Sequence, residues 1–183
     1  VTTTLVPYMK WLQADAQDAA AERAAEIEGE GPVVAVCAEG EASAYVAGLL
    51  SQAGIEAQNL EGGMRGWARV YEAREIWTEP TVVQYRRPSS GCLSYMIVSG
   101  DEAAVVDPLR AFTDRYLADA ADRGADIVAV FDTHVHADHV SGLRDLSDGA
   151  GARRFLSAPA LERGVTYHVE AVAGGEEIEV GDA

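Results

Sequence analysis

The sequence predicts an α/β protein in two parts, and three observations predict it. Residues 33–60 run strand, loop, helix, strand with short connections, the order of a parallel sheet with a helix across it. Residues 81–107 read as strands, two of them joined around a Gly-Asp turn, which makes a β-hairpin. An apolar run, Ile127-Val128-Ala129-Val130-Phe131, then reads as a buried strand leading into Thr133-His134-Val135-His136-Ala137-Asp138-His139-Val140-Ser141-Gly142.

The composition supports a packed core and excludes some partners. With 183 residues, 48% of them hydrophobic, the chain can form one large domain or two small ones. The net charge of −16, with Lys10 the only lysine, gives a surface that repels nucleic acid and anionic lipid. Acidity of this kind keeps a protein solvated; combined with scarce lysine it also suggests adaptation to a salty cytoplasm. No stretch approaches the ~20 apolar residues of a membrane helix, and no basic start leads into an apolar signal core. Cys37 and Cys92 lie far apart and suggest no disulfide framework, so a cytoplasmic protein with reduced thiols is expected.

The first residues carry no initiator methionine and read as the middle of an extended segment ending at Pro7. Residues 8–28 are rich in Ala, Glu, Asp, Gln and Arg, with Met9, Trp11, Leu12 and Ile27 interspersed. That composition predicts helix in two pieces, closed by the Gly-Pro punctuation at 29–32. Residues 33–36 form a short apolar strand, and Ser43 is a candidate N-cap for a helix to about Gln52. Gly54 ends it, and residues 55–60 make the second strand. A charged helical stretch is expected from Ala68, with a boundary over 73–80 before the strand at 81–85. Strands follow at 92–98 and 103–107. Phe112, Tyr116, Leu117 and Ala120 then line one face of a helix over 112–123. After Gly142 come a short helix to Gly149, a strand near 154–157 and a last strand near 177–180.

Two places carry chemistry. Cys37 stands at a strand's C-terminal end, before a loop of backbone amides and a helix N-terminus, which favour a thiolate or an anionic sulfur species. The competing reading, a small buried hydrophobe, stays open at this point. The second place is the histidine stretch, which holds three of the chain's four histidines. His134, His136, Asp138 and His139 stand at i, i+2, i+4 and i+5, and a bent loop could turn all four toward one cavity as metal ligands. Imidazole suits Zn, Fe, Ni or Cu, and a carboxylate adds charge. Asp107, at another strand end, is either a carboxylate orienting this loop or a turn residue before Pro108. Cys92, after a glycine at a strand start, is expected to be structural.

Val36-Cys37-x-x-Gly40-x-Ala42-Ser43 and Asn59-Leu60-Glu61-Gly62-Gly63-Met64-x-Gly66-Trp67 resemble the second half of a rhodanese domain. The resemblance implies that Cys37 carries sulfane sulfur as a persulfide, cradled by the amides of Ala38, Glu39, Gly40, Glu41, Ala42 and Ser43. The family loop often carries basic residues. Here Glu39 and Glu41 are expected to raise the thiol pKa and repel thiosulfate.

Gly91-Cys92-Leu93-Ser94-Tyr95, Val106-Asp107-Pro108 and the stretch at 133–142 resemble the opening half of a metallo-β-lactamase fold, in its persulfide dioxygenase and glyoxalase II-like branch. The fold class expected is therefore a partial rhodanese-like parallel sheet at 1–72, a linker at 73–80, and the first half of an αββα sandwich at 81–183. Both ends look cut.

In the dioxygenase reading, the resemblance implies Fe(II) held by His134 together with later residues. His136, Asp138 and His139 would sit beside the iron, Asp138 taking a catalytic part. The reaction would convert a small thiol persulfide and O₂ to thiol and sulfite. In the hydrolase reading, His134 and His136 bind one Zn²⁺, Asp138 and His139 a second, and the substrate is a thioester. A third reading is a non-catalytic sulfur-carrier or interaction module. His168, before Gly174-Gly175, falls where the family has no ligand. Assembly with further copies of the chain stays open.

Overall fold

The computed structural model describes residues 3–12, 20, 22, 27 and 31–182. They form two compact units, Val1–Val70 and Tyr71–Ala183.

In the first unit, strand β1 (Val33–Ala35) pairs in parallel with β2 (Ala57–Asn59), and helix α1 (Glu41–Gln52) connects them. A short helix α2 (Gly63–Trp67) follows. Leu49 and Leu50 of α1 are buried with Trp11 and Ala20, and Val33, Ile55 and Ala57 pack against them. Of the helix expected over 8–28, a 3-10 turn spans Tyr8–Trp11; most of the remainder lies outside the described residues. Helix α1 begins two residues before Ser43. Its N-cap is Gly40, at φ 94°, a conformation that glycine adopts without a Cβ penalty. Ser43 is thereby placed inside the first turn and does not cap it.

The second unit is built on a sheet of seven strands whose spatial order equals their chain order. β3 (Glu72–Thr78), β4 (Thr81–Arg87), β5 (Cys92–Ser99) and β6 (Glu102–Val106) are antiparallel neighbours. β7 (Asp126–Asp132), β8 (Arg153–Ser157) and β9 (Glu170–Val172) continue in parallel. Helix α3 (Thr113–Asp122) crosses from β6 to β7 and helix α4 (Leu143–Ala150) from β7 to β8; a short α5 (Ala158–Leu161) follows β8. On one face, Val83, Tyr85, Met96, Val105 and Val130 bury against Tyr116 and Ala120 of α3 and Leu143 and Leu146 of α4. On the other, Ala104, Ala129, Phe155 and Val180 form a smaller cluster.

Two expectations fail here. The charged helical stretch from Ala68 is instead edge strand β3, so residues 73–78 of the expected linker lie in the sheet. Pairing with β4 overrides their weak strand propensity, and the exposed charges suit an edge. The last strand, expected near 177–180, does not form: Ile178 and Val180 reach the smaller cluster without a ladder, and β9 lies at Glu170–Val172. Burial, and not pairing, accounts for their apolar pattern.

Candidate functional site

The Cys37 loop is held by backbone. β1 and β2 run in parallel, so the loops after them emerge side by side. The amides of Met64 and Arg65 donate to the carbonyls of Cys37 and Ala38, at 2.9 and 3.0 Å. This contact requires glycine at 63: a Cβ there, at φ +57°, would lie 2.3 Å from the Cys37 carbonyl oxygen. The Gly-Gly-Met segment is thus the floor on which the cysteine loop rests.

The sulfur accepts hydrogen bonds from the Ser43 hydroxyl at 3.2 Å and the Gly40 amide at 3.0 Å. These donors stabilise a thiolate. The Ser43 hydroxyl and amide contribute most, the Glu39 and Gly40 amides add to them against partial desolvation, and the pKa falls from 9.0 to about 7. The expectation that Glu39 and Glu41 would raise it is therefore overturned. The Ser43 hydroxyl and the Gly40 amide reach the sulfur directly, while the Glu39 carboxylate is engaged by Arg65. Ser43, a helix-cap candidate by sequence, is the residue that prepares the thiol.

The histidine loop is built by side chains. β6 and β7 are parallel and in register at Val106 and Phe131, and both lead into loops at the same sheet edge, where ligand sites of α/β sheets form. The Asp107 amide donates to the Phe131 carbonyl at 2.7 Å. Asp107 is the one non-glycine among the described residues with positive φ, 51°. That conformation costs about 1–2 kcal/mol, and an Asp can meet it by local hydrogen bonding. Here the carboxylate accepts from the Thr133 amide and hydroxyl, each at 2.7 Å, and the same hydroxyl lies 2.8 Å from His134 Nδ1. Asp107 is an orienting carboxylate as well as a turn residue.

A second brace closes the loop. The Gly142 amide donates to the Pro108 carbonyl at 2.7 Å and the Arg110 amide to the Val140 carbonyl at 3.1 Å. The Ser141 hydroxyl donates to buried Asp132 at 2.5 Å and accepts from the Leu143 amide at the start of α4.

The histidines converge as a chain of three rings. Ring centroids are 4.2 Å apart for His134 and His136, and 4.3 Å for His136 and His139. The four expected ligands divide into two groups, each with donor atoms within 4.8 Å of one another: Asp107, His134 and His136; and Cys92, Asp138 and His139. His136 Nε2 lies 3.3 Å from Asp107 and 3.4 Å from Asp132, close enough for attraction but without hydrogen-bond alignment. These two carboxylates raise its pKa to about 9 against the effect of burial. For Asp107, burial pushes the carboxyl upward, yet the neighbouring His136 ring and the hydrogen bonds from Thr133 leave it below the usual range. Both nitrogens of His139 are buried without a hydrogen-bond partner. Buried imidazole nitrogens lacking partners, beside carboxylates that favour positive charge, fit a cation.

Cys92 is not the bystander expected from sequence. Its thiol donates to Asp138 Oδ2 at 3.2 Å, and with the Asp138 amide and His139 this lowers the Asp138 carboxyl to about 2. Its separation from Asp138 in sequence hid the contact. The one available signal was its place at the start of a strand adjoining β6. His168 is exposed and joins neither group.

Comparison with known proteins agrees with this division. Residues 5–70 match the Rhodanese-like domain and residues 87–175 the Metallo-beta-lactamase superfamily, so both kinds of domain are found, in that order. Hydroxyacylglutathione hydrolase from Synechococcus sp. (strain JA-2-3B'a(2-13)) is 35% identical over 77 residues, 42% of this chain and 30% of that protein. The chain thus spans under a third of the length of the curated relative it matches. Among solved structures, ETHE1 from Myxococcus xanthus is 26% identical with a TM-score of 0.45, the match covering 61% of this chain and 44% of that one. The metallo-beta-lactamase from Staphylococcus aureus subsp. aureus COL is 25% identical with a TM-score of 0.45, covering 63% and 31%. The mixed α/β architecture is consistent with a metallo-β-lactamase fold preceded by a short parallel sheet. No helix among the described residues is long and apolar enough to cross a membrane.

Proposed function

We propose that the chain belongs to a metal-dependent persulfide dioxygenase whose rhodanese-like unit carries sulfane sulfur on Cys37. The observation that carries this reading is the pairing, in one chain, of a thiol prepared as thiolate with a loop of buried imidazole nitrogens lacking partners. His134 and His136, with Asp107 beside them, would hold the ion, iron(II) in this reading, and Asp138 and His139 would sit beside it. The bound ion supplies redox chemistry and open positions for small ligands. Overall, persulfide, O₂ and water give thiol and sulfurous acid, which ionises to sulfite.

The chain's own residues do the rest. Asp107 fixes Thr133 and hence the ring of His134, and Asp132, held by Ser141, fixes His136. At Cys37 the thiolate attacks the outer sulfur of a persulfide. The donor's S–S bond breaks, a new S–S bond forms on Cys37, and the donor leaves as thiolate. The amides of Glu39 and Gly40 and the Ser43 group stabilise the anionic sulfur on either side of the transfer. The substrate is a small thiol persulfide. Nucleic acid and membranes are not partners, and the acidic surface suits a salty cytoplasm.

A second reading, a dinuclear zinc thioester hydrolase, draws support from the likeness to hydroxyacylglutathione hydrolase. In it, Asp138 and His139 bind a second ion. The two readings separate in one experiment on the full-length protein. Iron-loaded protein is expected to consume O₂ when glutathione persulfide is supplied, with sulfite formed in equal amount. Hydrolysis of a hydroxyacylglutathione by zinc-loaded protein, with no O₂ uptake by either form, would replace the first reading by the second.

A further inference from the structure

We propose that Cys92 is a metal ligand, completing with Asp138 and His139 a thiolate-carboxylate-imidazole site for a borderline-soft divalent cation. The proposal rests on the reading of residues 133–142 as a metal-holding loop and extends it to a residue from a different strand. Cys92 begins β5, two strands away from β7, and its side chain meets the loop across the sheet's end. The sulfur, a carboxylate oxygen of Asp138 and a ring nitrogen of His139 lie within 4.8 Å of one another, a separation one ion can bridge.

The second observation is His139 itself. Its side chain is 7% exposed, and neither ring nitrogen has a hydrogen-bond partner, although Nδ1 lies 3.2 Å from Asp138. A buried imidazole normally satisfies at least one nitrogen, so this ring is poised for a partner the protein does not supply. Cys92 is likewise buried, and its thiol proton points at Asp138. When the cation binds, the Cys92 S–H bond breaks, its proton leaves to solvent and a sulfur–metal bond forms. The same event frees Asp138 Oδ2 to coordinate. The Ser90 hydroxyl, 2.9 Å from the sulfur, remains to donate to the thiolate. A thiolate selects Zn²⁺, Co²⁺ or Fe²⁺ over Mg²⁺ and Ca²⁺, so the two halves of the loop differ in softness: oxygen and nitrogen around His134 and His136, sulfur beside His139.

The test is cobalt(II) titration of metal-free full-length protein. Wild type and Cys37→Ser are both expected to develop a thiolate-to-cobalt charge-transfer band in the near ultraviolet. Cys92→Ser should lack that band and bind cobalt at least about tenfold more weakly. Since serine can still donate to Asp138, a role confined to that hydrogen bond would leave affinity near wild type. The Cys37→Ser protein keeps Cys92, so the test does not depend on Cys92→Ser folding. Visible cobalt bands without the charge-transfer band would overturn the role of Cys92 and leave the metal loop standing. A band lost in Cys37→Ser and kept in Cys92→Ser would overturn it too. Absence of bound cobalt by equilibrium dialysis would remove both.

Discussion

At Cys37 the groups that prepare the reactive atom are main-chain amides and one short hydroxyl; at residues 133–142 they are side chains, several of them with buried polar atoms lacking partners. Both loops leave the C-terminal ends of parallel strands, where amides and side chains converge. Backbone donors come fixed in place, so the thiol's bias is set by loop shape, and Gly40 and Gly63 decide that shape. Side-chain donors must be braced one by one, and the braces are Asp107, Thr133, Asp132 and Ser141. A nucleophile can be prepared by packing glycine against glycine. A cation site needs residues that hold other residues.

The strongest break of this contrast should come from Gly63→Ala. Its Cβ would lie 2.3 Å from the Cys37 carbonyl oxygen at a positive φ, so the loop must move, at a cost of about 3 kcal/mol or more. Gly142→Ala, at φ −86° with neighbours at 3.2 Å, should cost about 1 kcal/mol. Chemical denaturation of both variants compares them, and equal losses would mean that both loops depend alike on glycine.

Asp107→Asn is expected to lower zinc affinity about 10- to 100-fold in chelator competition, because the ring of His134 loses its brace. Asparagine tolerates the positive φ, so the fold should persist. The alkylation rate of Cys37, in the other unit, should not change, and a change there would show that the two sites are coupled.

The smallest effect concerns pH. Cys37 should alkylate at a rate that rises with pH around a midpoint of about 7, since only the thiolate reacts. Ser43→Ala removes a donor that favours the charged form, so the midpoint should move upward. The rate at pH 7 should fall about fivefold for a one-unit rise, while rates well above pH 9 converge. An unmoved midpoint would assign the effect to the amides alone.

Much of this was legible in the residues. The run 127–131 reads as a buried strand and is one, and its sequel crowds three histidines into one loop; the three rings do converge. The glycines at 62 and 63 carry the rhodanese resemblance, and their task is to let one loop lie on another. What stayed hidden was set by tertiary pairing. Edge strand β3 looks like a charged helix until β4 lies beside it. Ser43 has the chemistry of a cap but stands one turn too far in. Glu39 and Glu41 read as hostile to a thiolate, and no local pattern told of Arg65, which engages Glu39 from 26 residues later. Cys92 meets Asp138 from a position 46 residues earlier in the chain, and spacing along a sequence does not register such neighbours.

Seven strands that lie in space as they lie along the chain have a consequence for biosynthesis. As the polypeptide leaves the ribosome, each newly emerged strand can add to the growing rim of those already made, and none must wait for a distant partner. Asp107 is therefore presented early, at an open rim, and its strained turn stays without its Thr133 partner until β7 docks. The histidine loop can close only once β7 is in place, while the residues that brace the thiol loop all precede it in the chain.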